Sequence, residues 1–243
     1  MYDLTQFTPA NQRDTICAFK KIAAEARTLE EAATQICGFL YGVLIDGKNG
    51  KKGCVMVRLY KTHPYGRLSP RLQAFARKMM GETPPSPTMK CLTLLGTAGL
   101  EPAWNFREQS NGHQAIPLHS VAFIEGAPMF SQLVKQFGIA LPAVVTPDPN
   151  LILDLTKRGF NVFYVPQAKG SPYIPAQEGF VIPYHVQSVV GFGGMLSSGE
   201  IIAAILFTQI PISKEVAERF RAMGPALAEI SAPFISVNAI FSR

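Results

Sequence analysis

The sequence is short of charge: only 16% of its 243 residues are Asp, Glu, Lys or Arg, against 47% hydrophobic residues. An average soluble domain carries roughly 25% charged residues. So apolar a composition excludes an intrinsically disordered chain, which is rich in charge and poor in apolar side chains. Long uninterrupted apolar runs are also missing. The most apolar stretch, 186–212, is broken by Gln187, by four glycines before residue 200 and by Glu200. It therefore fails as a membrane helix of about 20 residues. Met1-Tyr2-Asp3-Leu4 has neither a basic start nor a following apolar run, which argues against a signal peptide. The expected compartment is the cytoplasm, with no membrane partner.

Cysteine is scarce and unpatterned. The four fall at 17, 37, 54 and 91, with no Cys-x-x-Cys and no zinc-ligand spacing, and they read as reduced core thiols. His63, His113, His119 and His185 have no His-x-x-x-His or Glu-x-x-His spacing, so no metal site is expected. A single axial histidine would suffice for haem. Haem stays open on that ground alone, and the cofactor is otherwise unknown. A bilin thioether to Cys54 or Cys91 has less support still. Catalytic signatures are absent too: no Gly-x-Ser-x-Gly elbow, no phosphate loop, no paired carboxylates. Gly191-Phe192-Gly193-Gly194 leads from one strand into another and is no dinucleotide fingerprint. There is no internal repeat and no low-complexity tract.

The positive features begin with the charge distribution. Of the net +6, residues 1–90 hold 14 basic and 7 acidic side chains, and the remainder 9 and 10. Lys48, Lys51, Lys52, Lys61, Arg67, Arg71, Arg77 and Lys78 supply most of this excess. They lack interleaved stacking aromatics, so a solvated face or an acidic partner fits better than nucleic acid.

Periodicity predicts a helix over 13–27, then a second one beginning at Thr28 with a Thr28–Glu31 capping box and ending near 46–50. Residues 54–60 alternate as a strand, with Val55, Val57 and Leu59 on one face and Met56, Arg58 and Tyr60 on the other. Residues 62–66 are expected to break it. An inserted basic amphipathic helix over 68–80, a Pro-rich linker, and a strand over 89–98 follow. A long polar loop, 99–119, holds the only tryptophan. Further on, the sequence predicts a helix over 128–137, a short extended piece at 144–146 and a strand at 161–166. A connector occupies 170–180, and a hairpin 188–196/200–210 follows. One last helix is expected over 213–230, capped by Ser213. These elements compose a single domain over 1–243, its core at about 13–60 and 89–232, with a long insertion at about 61–140.

This order of elements resembles a GAF-type sensory domain. The segments that carry the resemblance are Ile22–Ala26, Thr28–Ala33 and the strand 55–60, and then Ser188–Phe192, Ile202–Phe207 and Pro211–Ser213 leading into a helix. The strings Tyr60–Gly66, Gly112–Pro117 and Ser171–Glu178 are similar to GAF-like input modules of bacterial histidine kinases and cyclic-dinucleotide synthases. The resemblance implies an α+β, profilin-like fold, a central antiparallel sheet with the N- and C-terminal helices on one face. It also implies a dimer through those helices, and a small-molecule pocket between sheet and covering loops. Since no kinase, cyclase or DNA-binding module follows the last helix, the expected output is a separate protein or association. The expected function is a non-catalytic, ligand-sensing regulatory domain. The alternatives are a thiol-dependent small-molecule reductase on the same fold and a protein binding nucleic acid or an acidic partner.

Three clusters are candidate ligand-binding residues. Arg58, Tyr60, His63 and Tyr65 gather at a strand end, where Arg offers a planar fork of donors for an anion; a half-buried rim with Arg58 paired to a carboxylate is the structural alternative. Trp104, Asn105, Arg107, His113 and Gln114 combine an aromatic wall, a guanidinium, amides and an imidazole in a loop too long for a plain connector. The alternative is a surface loop anchored by Trp104 and Phe106. Tyr164, Ser171, Tyr173 and Gln177 lie where the resemblance places the covering segment. Pro166, Pro172, Pro175 and Pro183 would either stiffen such a lid or stop edge pairing.

Overall fold

The computed structural model describes residues 1–146 and 160–242. Its first helix, α1 (Pro9–Glu25), starts four residues earlier than the apolar periodicity predicts. The cause is local: Thr8 and Asn11 form a reciprocal cap, and Pro9 supplies a preset backbone angle in the first turn. Helix α2 (Leu29–Val43) begins at the expected Thr28, whose hydroxyl accepts the Glu31 N–H. The Glu31 carboxylate reaches the Arg27 N–H, one residue beyond a true capping box. Ala32, Ala33, Ile36 and Leu40 line its buried face.

The described residues form eight strands: β1 (Tyr2–Asp3), β2 (Leu44–Ile45), β3 (Cys54–Pro64), β4 (Lys90–Gly99), β5 (Ala115–Pro117), β6 (Asn161–Val165), β7 (Ser188–Met195) and β8 (Ile201–Thr208). The short β1 and β2 pair separately, and the other six form one antiparallel sheet in the order β5-β4-β3-β8-β7-β6. Strand β3 runs four residues past its expected end. His63 and Pro64 still pair with Cys91 and Lys90 of β4, and proline is tolerated because the β8 ladder ends at Lys61 and Ile202, leaving β3 an edge on that side.

Two faces of this sheet are covered by different parts of the chain. Val57, Leu59, Leu95, Val190, Phe192, Ala204 and Leu206 pack against α1, α2 and α8 (Met223–Ser236). Phe19, Phe192 and Phe220 are wholly buried there, each worth about 1.5–3 kcal/mol of burial. Both terminal helices therefore lie on one face of an antiparallel sheet, and the fold is α+β, with the layering expected above. Helix α2 comes so close to β4 that a Cβ on Gly96 would sit 2.4 Å from the Ala33 backbone; only glycine fits there. The second face, with Met56, Tyr60, Leu92, Leu94, Ala203, Ile205 and Phe207, is covered by residues of 118–144 and 168–186. Among these are residues of α4 (Val121–Glu125), α5 (Pro128–Gln136) and α6 (Leu141–Val145).

Several expectations are corrected. The predicted extended piece at 144–146 is the end of α6: Pro142 stands in its first turn and the Thr146 N–H bonds to its carbonyl, which overrides the β preference of two valines. The single last helix is two, α7 (Lys214–Arg219), capped by Ser213, and α8, joined by a 3-10 turn at 220–222. Pro225 accounts for the break: without an N–H it cannot continue the α7 ladder, yet it fits the first turn of a new helix. Apart from these corrections, α1 and α8 pack on one another within the chain, tied by Lys20 and Glu229 at 2.8 Å. The inserted basic helix is α3 (Pro70–Met80), capped by Ser69. Cys17 is exposed on α1, whereas Cys37, Cys54 and Cys91 are buried. Among the described residues no helix is long and apolar enough to cross a membrane.

Lys61 is not part of a solvated basic face. Only 1% exposed, it stands with Lys90, His63 and Glu200 beside the β7–β8 turn. Its Nζ lies 3.1 Å from the Glu200 carboxylate and donates to the Thr62 carbonyl, while Lys90 donates to the Gly199 carbonyl. His63 packs edge-on against Phe241, and its Nδ1 has no hydrogen-bond partner. Burial, and then the Lys61 charge, push its pKa down to about 4, against a smaller pull upward from Glu200. Between about pH 6.5 and 4 the unfolded chain therefore binds a proton that the folded one refuses, so stability falls as pH falls through that window. Wild type is expected to lose about 3 kcal/mol there on this account, and His63→Phe to flatten the slope, as read by urea unfolding across pH. An unchanged slope in His63→Phe would remove the explanation.

Candidate functional site

A cavity of about 410 Å³ lies on the sheet face away from the terminal helices. Its floor follows from strand periodicity. The two-residue alternation of β3 sends Met56, Arg58 and Tyr60 to this face, and β8 sets Phe207, Ile205 and Ala203 directly beside them. Leu92 and Ile116 extend the floor towards the β5 edge.

One wall is the loop after β4. Asn105 folds it back, its side chain bonding the Gly99 N–H at 3.1 Å and the carbonyls of Gly99 and Glu101. Thr97 holds the Trp104 carbonyl at 2.8 Å. Gln114 donates to the carbonyls of Glu108 and Ser110, which fixes the stretch presenting Gln109, Ser110 and Asn111 to the cavity. Phe180, at ring-centre distances of 5.5 Å from Trp104 and 5.1 Å from Phe207, belongs to the roof, residues 174–180. Gln177 clasps that roof from within, bonding the Gly170 N–H and the carbonyls of Ala168 and Ile174. The far wall is the start of α5: Ala127, Pro128, Met129 and Phe130, with Leu133 one turn on.

Among the described residues Arg58 is the one cation on the cavity lining. It is 9% exposed and has no carboxylate partner among the described residues. Two long bonds, each 3.3 Å, join it to the Tyr60 hydroxyl and the Ser110 hydroxyl, and its Nε–H has no acceptor. Buried guanidinium groups are ordinarily paired, because an unpaired buried charge is costly. His113, its Nδ1 3.0 Å from the Asn111 carbonyl, also lines the cavity. Its pKa is lowered, first by the surrounding protein and then by the Arg58 charge, which favours a neutral imidazole at pH 7.

Of the candidate residues, the structure brings Arg58, Tyr60, Trp104 and His113 together on the lining and places the others elsewhere. His63 points to the opposite face of the sheet, because it is five residues beyond Arg58 on β3. Tyr65 is in a 3-10 turn, packed by α3, where its carbonyl accepts Gln73. Arg107 turns outward to Glu30 at 2.5 Å and to the Phe241 ring, tying the loop to α2 and the C-terminal segment. Asn105, Gln114 and Gln177 hold the walls in shape as described. Tyr164 faces the helices and donates to the Ile212 carbonyl at 2.5 Å. Ser171 and Tyr173 form an outer turn, the Ser171 hydroxyl accepting the Tyr173 N–H.

Sequence reasoning missed the β8 contribution, Gln109, Ser110 and Asn111, and the α5 wall. The alternation of β8 was available as a signal but is masked by a run in which both faces are apolar. Among the described residues no cysteine lines the cavity. Burial pushes the thiols of Cys54 and Cys91 up to about 12, the opposite of an activated thiolate. Among the described residues no group of three His, Cys, Asp or Glu side chains is placed to hold a metal ion.

The sequence matches no family model and no curated protein. Among solved structures, the chain is similar to a free methionine-R-sulfoxide reductase from Neisseria meningitidis, determined with its substrate. The identity is 10%, over 94% of this chain and 92% of that one, with a TM-score of 0.49. It is also similar to the GAF domain of an Acinetobacter phosphoenolpyruvate-protein phosphotransferase. There the identity is 12%, over 95% and 98% of the two chains, with a TM-score of 0.45.

Proposed function

We propose that this chain is a non-catalytic, small-molecule-sensing regulatory domain whose ligand occupies the cavity between the sheet and its covering segments. The observation that carries this reading is the nearly buried guanidinium of Arg58, without a carboxylate partner among the described residues, on the floor of a mainly apolar cavity of about 410 Å³. Small-molecule sites have this composition: apolar and aromatic walls with a few fixed polar groups, in volumes of roughly 300–1,000 Å³. The thiol-dependent reductase reading lacks a cysteine at the cavity among the described residues, and the candidate basic residues for an acidic partner are split between the 46–52 loop and α3. Homodimerisation through the outer faces of α1 and α8, with output through a separate protein, belongs to the same proposal.

Native mass spectrometry of gently purified protein tests both parts. The expected spectrum shows a dimer whose subunits carry a small-molecule adduct, lost in an Ala203→Phe variant that fills the floor. An adduct that persists in Ala203→Phe, or a bare monomer throughout, would count against the reading.

A further inference from the structure

The chemistry of the lining narrows what such a cavity accepts. Among the described residues no aspartate or glutamate lines it, so the Arg58 charge meets no counterion from them there. The α5 N-terminus forms part of the same wall. Its cap position is Ala127, which offers no side-chain acceptor, and Pro128 follows, so the N–H groups of the first turn are left without a side-chain cap. Uncapped N–H groups and the helix dipole favour negative charge and acceptor oxygens. Two independent features of the cavity, a buried guanidinium with spare donors and an open helix start, thus look for acceptors on the occupant.

Apart from Tyr60, His113 and the 109–111 stretch, the rest of the lining is apolar: Met56, Ile205 and Phe207 on the floor, Trp104 at the side, Phe180 above. One guanidinium beside an imidazole that favours its neutral form balances one negative charge. A phosphate monoester, carrying close to two, would leave charge uncompensated in a largely apolar enclosure.

We infer that the cavity binds a singly charged organic acid, its carboxylate on the Arg58 fork and its apolar, ring-sized body against Trp104 and Phe180. This inference rests on the small-molecule reading above and specifies its ligand class. A carboxylate accepts two parallel N–H bonds from a guanidinium, which supplies the acceptor the Nε–H lacks. The uncapped α5 turn offers a second acceptor site for a carbonyl or hydroxyl oxygen on the body.

Calorimetric titration of the whole chain with three matched probes tests this: 3-phenylpropanoate, 3-phenylpropanamide and 2-phenylethyl phosphate. The acid is expected to bind saturably and at least tenfold more tightly than the amide or the phosphate. In Arg58→Met that preference should vanish while weak amide binding survives. The comparison within wild type stands whether or not the variant folds. An amide or phosphate that binds as tightly as the acid would overturn the ligand class and leave the small-molecule reading standing. If none of the three binds and the emission of Trp104 does not change, both fall.

Discussion

Arg58→Met is expected to make the empty protein more stable, by about 1–3 kcal/mol, while removing its affinity for organic acids. The gain follows from what Arg58 lacks. Its guanidinium is buried with two 3.3 Å bonds to neutral hydroxyls and an Nε–H without an acceptor. Methionine has a similar unbranched shape, takes no polar group into the cavity floor and meets Met56 and Ile205 as apolar neighbours. In a chain of this length each kcal/mol moves the melting temperature by about 2–4 °C. Arg58→Lys should not substitute for wild type, because an ammonium lacks the fork that pairs with a carboxylate. A loss of more than about 1 kcal/mol in Arg58→Met would show instead that the guanidinium braces the fold, in the range of an ordinary broken internal bond.

The second large effect lies on the other face of the sheet. Glu200→Ala is expected to destabilise the protein by about 3–5 kcal/mol, because it leaves Lys61 buried without its counterion. Glu200 is the sole carboxylate paired with Lys61 among the described residues, at 3.1 Å, and its own position is fixed by the Ser198 hydroxyl at 2.5 Å. Burial alone would raise the Glu200 pKa, yet Lys61, Ser198 and His63 outweigh it and hold the carboxyl below its ordinary value. Its contribution is therefore present above the ordinary carboxylate range and is lost as pH falls through the lowered value. Lys61 is lowered in turn by burial, against the opposing pull of Glu200. In Glu200→Ala that opposition is gone, so stability should rise with pH from neutral towards 10 as Lys61 sheds its proton. The double variant Glu200→Ala, Lys61→Met should recover most of the loss. If it remains as unstable as the single variant, the pair is not the cause.

The two faces differ in how far sequence could reveal them. Local chemistry made the framework legible. The alternation of 55–60 assigns Arg58 to the face of Met56 and Tyr60, and Thr28 and Ser213 mark helix starts that the structure keeps. The 188–210 hairpin follows from two apolar runs around Ser197–Gly199. What stayed hidden depends on distant parts of the chain. Lys61 reads as a surface charge until β7 and β8 place Glu200 beside it. Asn105, Gln114 and Gln177 read as ligand contacts because they are polar and sit in loops, whereas each satisfies backbone groups that the loop itself exposes. The α5 wall announces itself only by a missing cap at Ala127, and that absence means nothing until the helix start opens onto a cavity. The β-branched Val144-Val145 pair suggested an extended segment and lost to Pro142 and the packing of α6 under the sheet.

Trp104 allows the central claim to be read without a label, since it is the sole tryptophan and lines the cavity. Its emission should shift saturably as 3-phenylpropanoate is titrated into wild type, and should stay constant over the same range in Arg58→Met. Equal responses in the two proteins, or none in wild type, would contradict the assignment of this cavity as an Arg58-anchored binding site.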